Sequence, residues 1–308
     1  MLNYLLVIGT YIGLFSVLAM ALNLIWGLAG MINLGMIGFF AFGAYTAALA
    51  TTKLQLPFLL AVALAGGAVS LIGAAMAHVT WRLRGDYLAV VTLGFSEFIR
   101  LIASNEIWLT NGTDGITNIV FPLRDVLSPF AFSLAAFLGI AGLLTILFLL
   151  FERLCYSPFG RALRAIRDDE EASWTAGKNS RLMKAQAFAI GGFFAGTAGA
   201  IYAHFNSYIA PDSFLPLLSL YVVFAVTIGG RGNTIGAIVG TGAIMTFTEG
   251  TRFLVNHIDF LRPVQTAALR EMTISLAFLL ILIFLPRGLF PERMQSWRFA
   301  LKRKAGAS

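Results

Sequence analysis

Residues 1–52, MLNYLLVIGTYIGLFSVLAMALNLIWGLAGMINLGMIGFFAFGAYTAALATT, contain no Asp, Glu, Lys or Arg. A helix that crosses a hydrocarbon core of about 30 Å needs about 20 apolar residues, so this stretch is long enough for two crossings. Three more uncharged runs, Leu54–Trp81, Val126–Phe151 and Ala185–Pro211, are each long enough for one. A soluble core helix has no reason to stay uncharged around its whole circumference over such lengths. Composition agrees, with 58% hydrophobic and 12% charged residues, the latter about half the usual share. The chain reads as an all-α, polytopic transmembrane helical bundle, a single domain over residues 1–308.

Working outward from that stretch, nine spans are expected near 4–26, 31–50, 57–81, 87–103, 129–151, 185–205, 215–230, 233–252 and 268–286. Gly27–Gly30 is a tight uncharged break, and the Gly-interrupted run 31–42 suits a bent or re-entrant segment. Eight or ten spans follow if 31–50 or 87–103 is re-entrant. Positive charge sets the orientation. Arg82 and Arg84 follow the third span, and seven basic residues from Arg153 to Lys184 follow the fifth. Arg231 follows the seventh, and Arg287, Arg293, Arg298, Lys302, Arg303 and Lys304 lie in a basic tail, 287–308. Together these are 16 of 22 basic residues on one side, which the positive-inside bias makes cytoplasmic. The N-terminus is then outside, the C-terminus is cytoplasmic, and the first segment stays as an anchor because no basic region precedes it. The tail, with Trp297 and Phe299, suits an anchor near anionic lipid, so the net charge of +7 points to membrane and not to nucleic acid.

Cys155 is the sole cysteine, so no internal disulfide or zinc site is possible. Following the fifth span, it is expected to face the cytoplasm and to react there with maleimide. His78, His204 and His257 lack metal-ligand spacing, and no metal or cofactor is expected. Gly192/Gly196 and Gly236/Gly240 have GxxxG spacing, which suits close helix packing in lipid but also arises by chance among 31 glycines. Glu97 and Arg100 stand at i, i+3 inside an apolar span, where a charge costs about 2.5–3.5 kcal/mol. They form either a mutually neutralising pair that locks the helix or a polar element lining a path. Asn23 with Asn33, and Glu249 with Arg252, pose the same choice more weakly.

The polar loop 152–184 is the most informative. Ser157-Pro158 reads as a helix N-cap and first residue, after which Arg161, Arg164 and Asp168 share one face. Ala162 and Ile166 are offset from them. Asp168–Glu171, four acids in a row, lead into Ala172-Ser173-Trp174-Thr175-Ala176-Gly177, where Gly177 suits a helix stop. Gly177-Lys178-Asn179 is not a P-loop, because the hydroxyl residue after Lys and the upstream Gly are missing. Gly229-Gly230-Arg231-Gly232 suits a turn at the end of a span.

Glu171-Ala172-Ser173 with Gly177 resembles the E-A-A-x-x-x-G loop in the membrane subunits of bacterial ABC importers, although no I-x-L-P follows. That resemblance implies an ATPase-coupling loop whose residues include Arg161, Arg164, Asp168, Glu171, Ala172 and Gly177. The runs 27–35 with 43–45, 84–94, 109–116, 157–168 and 229–236 are similar to the branched-chain amino-acid permease family, closest to its M-type member. Ala237 stands where that family often has Pro. The resemblance implies a permease subunit with no chemistry of its own, paired with an H-type permease, two ATPase subunits and an external solute-binding protein. It implies a bacterial inner-membrane location and branched-chain amino acids as cargo, with urea or short amides as the sister family's alternative. The competitor from another class is an ion-coupled secondary transporter, for which Glu97 and Arg100 are the best coupling candidates.

Overall fold

The computed structural model describes residues 2–83, 85–121, 124, 127–255, 263–285 and 288–292. Arg84, Arg287, the tail from Arg293 with Trp297 and Phe299, and His257 lie outside the described residues, as does the side chain of Arg252. The described residues are helical with irregular connections and one isolated antiparallel bridge, Ile116 to Ile209. α1 (Leu2–Leu22) runs into a π-helical turn, Asn23–Leu28, and α2 is Met36–Thr52. α3 (Phe58–Val79), α4 (Asp86–Asn105) and the short α5 (Ile107–Thr110) follow. After α6 (Pro129–Tyr156) come the polar α7 (Pro158–Asp168) and α8 (Glu170–Thr175). α9 (Ser180–Asn206), α10 (Pro216–Gly229), α11 (Thr234–Val255) and α12 (Pro263–Phe284) complete the bundle.

Six stretches are long and apolar enough to cross a membrane: 2–28, 58–79, 86–105, 129–156, 180–206 and 211–229. Met36–Thr52 and Glu271–Ile281 are apolar but shorter. Contacts define two ends of the bundle. At one end the 27–30 turn meets α7, and residues 289–290 donate backbone hydrogen bonds to the end of α10. At the other, Lys53 Nζ donates to the Trp108 carbonyl and Tyr4 to Glu249.

The starts of the helices follow sequence chemistry. Ser128 and Ser157 each accept a hydrogen bond from the third residue of the helix they cap, with Pro next in line, because Pro has no N–H to leave unpaired. Asn179 caps α9 through Leu182 N at 3.0 Å. Between α1 and α2 the chain does not turn straight back as helix. Residues 30–35 are irregular. Gly30 N and Met31 N bond back to the carbonyls of Trp26 and Ile25, and side chains meet several of the N–H groups that follow. Asn33 Oδ1 accepts from Gly35 N at 2.7 Å, Thr92 Oγ1 from Leu34 N at 3.0 Å, and Ser219 Oγ from Ile37 N at 3.2 Å. Buried backbone must be paired in this way. The expected bent segment is therefore present at 30–35, and from Met36 onward the run is regular helix.

The core gathers around α9, which packs on α1, α2 and α3. A Cβ on Gly192 would lie 2.8 Å from the Val69 carbonyl oxygen, and one on Gly199 would collide with that of Phe40. Gly236 and Gly240 face the backbone of α10 in the same way. Both GxxxG pairs are packing contacts. Cys155 corrects an expectation: its thiol is buried, beside Thr234 Oγ1 at 3.8 Å. The last turn of α6 folds it inward, so maleimide should not reach it.

Gly142 has open space where a Cβ would go. Overpacking a tight contact costs about 1–3 kcal/mol. Gly199→Ala is therefore expected to lower the midpoint of heat-induced loss of monodisperse subunit in detergent, while Gly142→Ala leaves it unchanged or raises it. Equal midpoints for the two variants would contradict the packing described here.

Candidate functional site

The polar loop forms a helical hairpin at the 27–30 end of the bundle. α7 is strongly amphipathic, with Gly160, Ala162, Leu163 and Ile166 buried against the bundle. Where the sequence suggests one helix running to Gly177, the structure has two. Asp169 adopts an extended backbone conformation and caps α8, its Oδ1 accepting from Ala172 N at 2.9 Å. Four adjacent acids repel one another, and Asp favours a cap over a helix interior. The first acid therefore ends α7 and the second begins α8. Gly177 stops α8 as expected. Its φ is +78°, Gly177 N donates to Trp174 O at 2.9 Å, and Lys178 N donates to Ser173 O at 3.0 Å, the hydrogen-bond pair of a Schellman cap.

The loop residues singled out in the sequence divide into two sets. Arg164 is turned inward: Nε donates to Glu292 Oε1 at 2.8 Å and Nη1 to Cys155 O at 2.9 Å. Arg167 joins it, with Nη1 donating to Glu292 Oε2 at 2.9 Å and to the Gly27 carbonyl at 2.6 Å. Burial alone would lower the pKa of Arg167, but the carboxylates of Asp168 and Glu292 outweigh it and hold the guanidinium above its ordinary value. These contacts fasten α7 to the end of α1 and to the segment after α12. Arg161, Asp168, Glu171, Ala172 and Gly177 are exposed. Trp174, which sequence reasoning did not single out, lies among them with 72% of its surface exposed. Glu292 was missed as well, because nothing local in the sequence pairs it with residues more than a hundred positions away.

Under the hairpin lies a cleft of about 350 Å³ whose walls include Gly30, Leu83, Asp168, Glu171 and Lys184. Lys184 Nζ donates to Glu170 Oε1 at 2.7 Å across one side. Further into the bundle, Arg100 Nε donates to Glu97 Oε2 at 2.9 Å, so the two intramembrane charges are paired within α4. Both side chains are part-exposed on this subunit. Asn23 Oδ1 accepts from Gly232 N at 2.8 Å, which joins the π turn to the 229–232 loop. Asn33 Nδ2 and Ser96 Oγ are buried without a hydrogen-bond partner among the described residues. No group of three or more His, Cys, Asp or Glu able to hold a metal occurs among the described residues.

Two measurements follow. Glu292→Ala removes the shared acceptor of Arg164 and Arg167. Hydrogen bonds to charged groups contribute about 1.5–3 kcal/mol, so amide exchange in α7 should accelerate by about tenfold or more. Asp168→Ala should change it less than about threefold, since exposed pairs contribute about 0–1 kcal/mol. For the α4 pair, Glu97→Ala or Arg100→Ala alone should reduce the folded yield more than replacing both residues with Leu, because a single change strands one charge. A double variant that folds yet no longer transports would mark the pair as lining the path.

Comparison with known proteins agrees with this architecture. The family model described as branched-chain amino acid transport system / permease component matches residues 4–285. The chain is 33% identical to the high-affinity branched-chain amino acid transport system permease protein LivM of Escherichia coli K12, over 98% of this chain and 72% of that protein. A probable branched-chain amino acid transport permease protein LivM from Methanocaldococcus jannaschii is 27% identical over 76% of this chain and 68% of its own length. The permease protein LivH of the E. coli system is 25% identical over 89% of this chain and 90% of its own. No solved structure matches the chain at a significant level. With a family model spanning residues 4–285 and 33% identity to a LivM relative over 98% of its length, the chain belongs to the branched-chain amino acid transport system permease component family.

Proposed function

We propose that this chain is the membrane-spanning permease subunit of an ATP-binding-cassette importer that moves branched-chain amino acids delivered by an external binding protein. It performs no chemistry. ATP hydrolysis belongs to two partner ATPase subunits, and an H-type permease completes the membrane domain in the bacterial inner membrane. The similarity to both LivM and LivH supports the pairing. The observation that carries the reading is the hairpin: α7 is fastened to the bundle by Arg164 and Arg167, while the adjoining turn from Asp168 to Gly177 is presented outward. A rigid mount with an exposed tip suits transmission of movement from an ATPase to the spans. In this reading Arg164 acts as the mount. Glu171, Ala172 and Gly177 belong to the tip, with Trp174 as its apolar contact and Arg161 and Asp168 at its margin.

Nine spans, α1–α4, α6 and α9–α12, fit the alternation of the helices between the two ends. The hairpin end is then cytoplasmic, with the N-terminus outside and the C-terminus inside. Arg153 is exposed in the last turn of α6. Arg153→Cys should therefore be labelled by impermeant maleimide in inside-out vesicles and not in intact cells. Labelling in intact cells would reverse the orientation. An ion-coupled transporter working alone is the weaker reading, since Glu97 and Arg100 satisfy each other.

Uptake tests the function directly. Reconstituted with its partners, the protein should import leucine, isoleucine or valine only when ATP and the binding protein are both present. Import of urea or short amides without competition from branched-chain amino acids would move it to the sister family. Gly177→Trp forces a bulky residue into a positive φ that L side chains rarely adopt. Normal amounts of folded subunit, weaker ATPase association and loss of stimulated hydrolysis are expected. Wild-type transport by this variant would reduce the hairpin to a connector.

A further inference from the structure

At the hairpin end of α3 a second cluster lies apart from the coupling loop. Trp81 is flanked by two guanidiniums, Arg82 with Cζ 5.0 Å from the ring centroid and Arg181 at 5.2 Å. Arg181, at the start of α9, also contacts His78 Nε2 on the last turn of α3. A guanidinium has only donors, so the imidazole nitrogen that meets it is the acceptor. Among the described residues, no carboxylate lies in ion-pair range of Arg82 or Arg181. Two like charges are gathered on one indole with no carboxylate between them, an arrangement suited to an anion. The ring holds each cation by its face and leaves the N–H groups at the guanidinium edges to bind elsewhere.

The surroundings identify the anion's carrier. Val79 and Leu182 beside the cluster are 82% and 54% exposed. Along α3, Leu64 and Leu71 continue an exposed apolar stripe on the helix face that leads to His78 and Arg82. Both α3 and α9 are long and apolar enough to span a membrane, so the cluster sits where such a helix leaves the hydrocarbon. We infer that Trp81, Arg82 and Arg181 bind the phosphate of an anionic phospholipid, whose acyl chain lies along the exposed face of α3. Trp at the interface and basic side chains at the headgroup level are the groups such a lipid needs. A soluble phosphate would gain nothing from the apolar stripe. The inference requires only that α3 and α9 cross the membrane, and not the identity of the transported solute.

Native mass spectrometry of the detergent-solubilised complex, incubated with an equimolar mixture of phosphatidylglycerol and phosphatidylcholine, tests it. The wild type should retain phosphatidylglycerol selectively. A surface cation contributes about fivefold to the binding of an anionic lipid. Arg82→Gln or Arg181→Gln should therefore weaken retention by about fivefold, and the double variant by about thirtyfold. Arg82→Lys with Arg181→Lys keeps the charge and should keep most of the preference, which separates binding from misfolding. Arg153→Gln, an exposed arginine away from the cluster, should change nothing. Unchanged phosphatidylglycerol retention in the double Gln variant would overturn the proposal. So would displacement of the lipid by millimolar inorganic phosphate, which would mark a soluble-anion site. Loss of the ATPase subunits from the Gln variants with lipid retention intact would also overturn it, since the cluster would then be a protein contact.

Discussion

The approach of α9 to the backbones of α2 and α3 is the contact from which the rest of the molecule is hung. In lipid the hydrophobic effect gives helices little reason to associate, and dispersion between closely fitted surfaces must do so. Gly192, Gly196 and Gly199 remove the side chains that would hold the helices apart, and Gly43 meets Gly196 from the other side. With α9 seated, α1 lies against it, and the aromatic residues Phe15, Phe40, Tyr202 and Phe214 fill the space between the helices. The π turn at the end of α1 is thereby fixed against the last turn of α7. A fault at α9 would reach the hairpin through these intermediates even though no residue of the triplet touches it.

Much of this was legible because lipid makes sequence simple. Uncharged runs gave the helices near their observed positions, and the Ser-Pro and Gly signals gave the ends of the hairpin. The break between the first two helices was readable from its glycines. The illegible parts depended on distant partners. Cys155 looked exposed because it stands beside Glu152 and Arg153 in a basic loop, yet the end of α6 turns its thiol toward Thr234. Arg164 looked like part of an exposed face with Arg161 and Asp168, and only Glu292, brought close by the chain after α12, shows why it turns inward. The division of the loop at Asp169 was hidden by a run of acids in which any one could have served as the cap.

The candidate site combines two kinds of order. Its mount is made of charge-assisted hydrogen bonds that converge on one carboxylate, and its tip is made of local caps that need nothing from the bundle. A unit built this way can move as a body. The tip's caps are internal hydrogen bonds, Lys184 ties Glu170, the first residue of α8, to α9, and the mount joins the tip to the end of α1 and to the segment after α12. The neighbouring pair at Glu97 and Arg100 is of a different kind. It neutralises itself within one turn of α4 and passes no strain to another helix through its ion pair.

The bond from Arg167 to the Gly27 carbonyl carries a consequence for genetics. Its acceptor belongs to the main chain, so no substitution at position 27 can delete it, and any residue tolerated there supplies the same oxygen. Replacing Arg167 is the only genetic way to break the link. Mutational scans would find position 167 sensitive through this bond and position 27 sensitive for another reason, since a Cβ there would collide with Asn23 Oδ1 and lie 2.6 Å from Gly232 N. Statistical comparison of positions 27 and 167 across descendants would find no paired changes. Two elements of the protein are thus joined mechanically by a contact that leaves no trace in inheritance, and replacing the backbone amide chemically with an ester, which weakens the carbonyl as an acceptor, is the way to expose it.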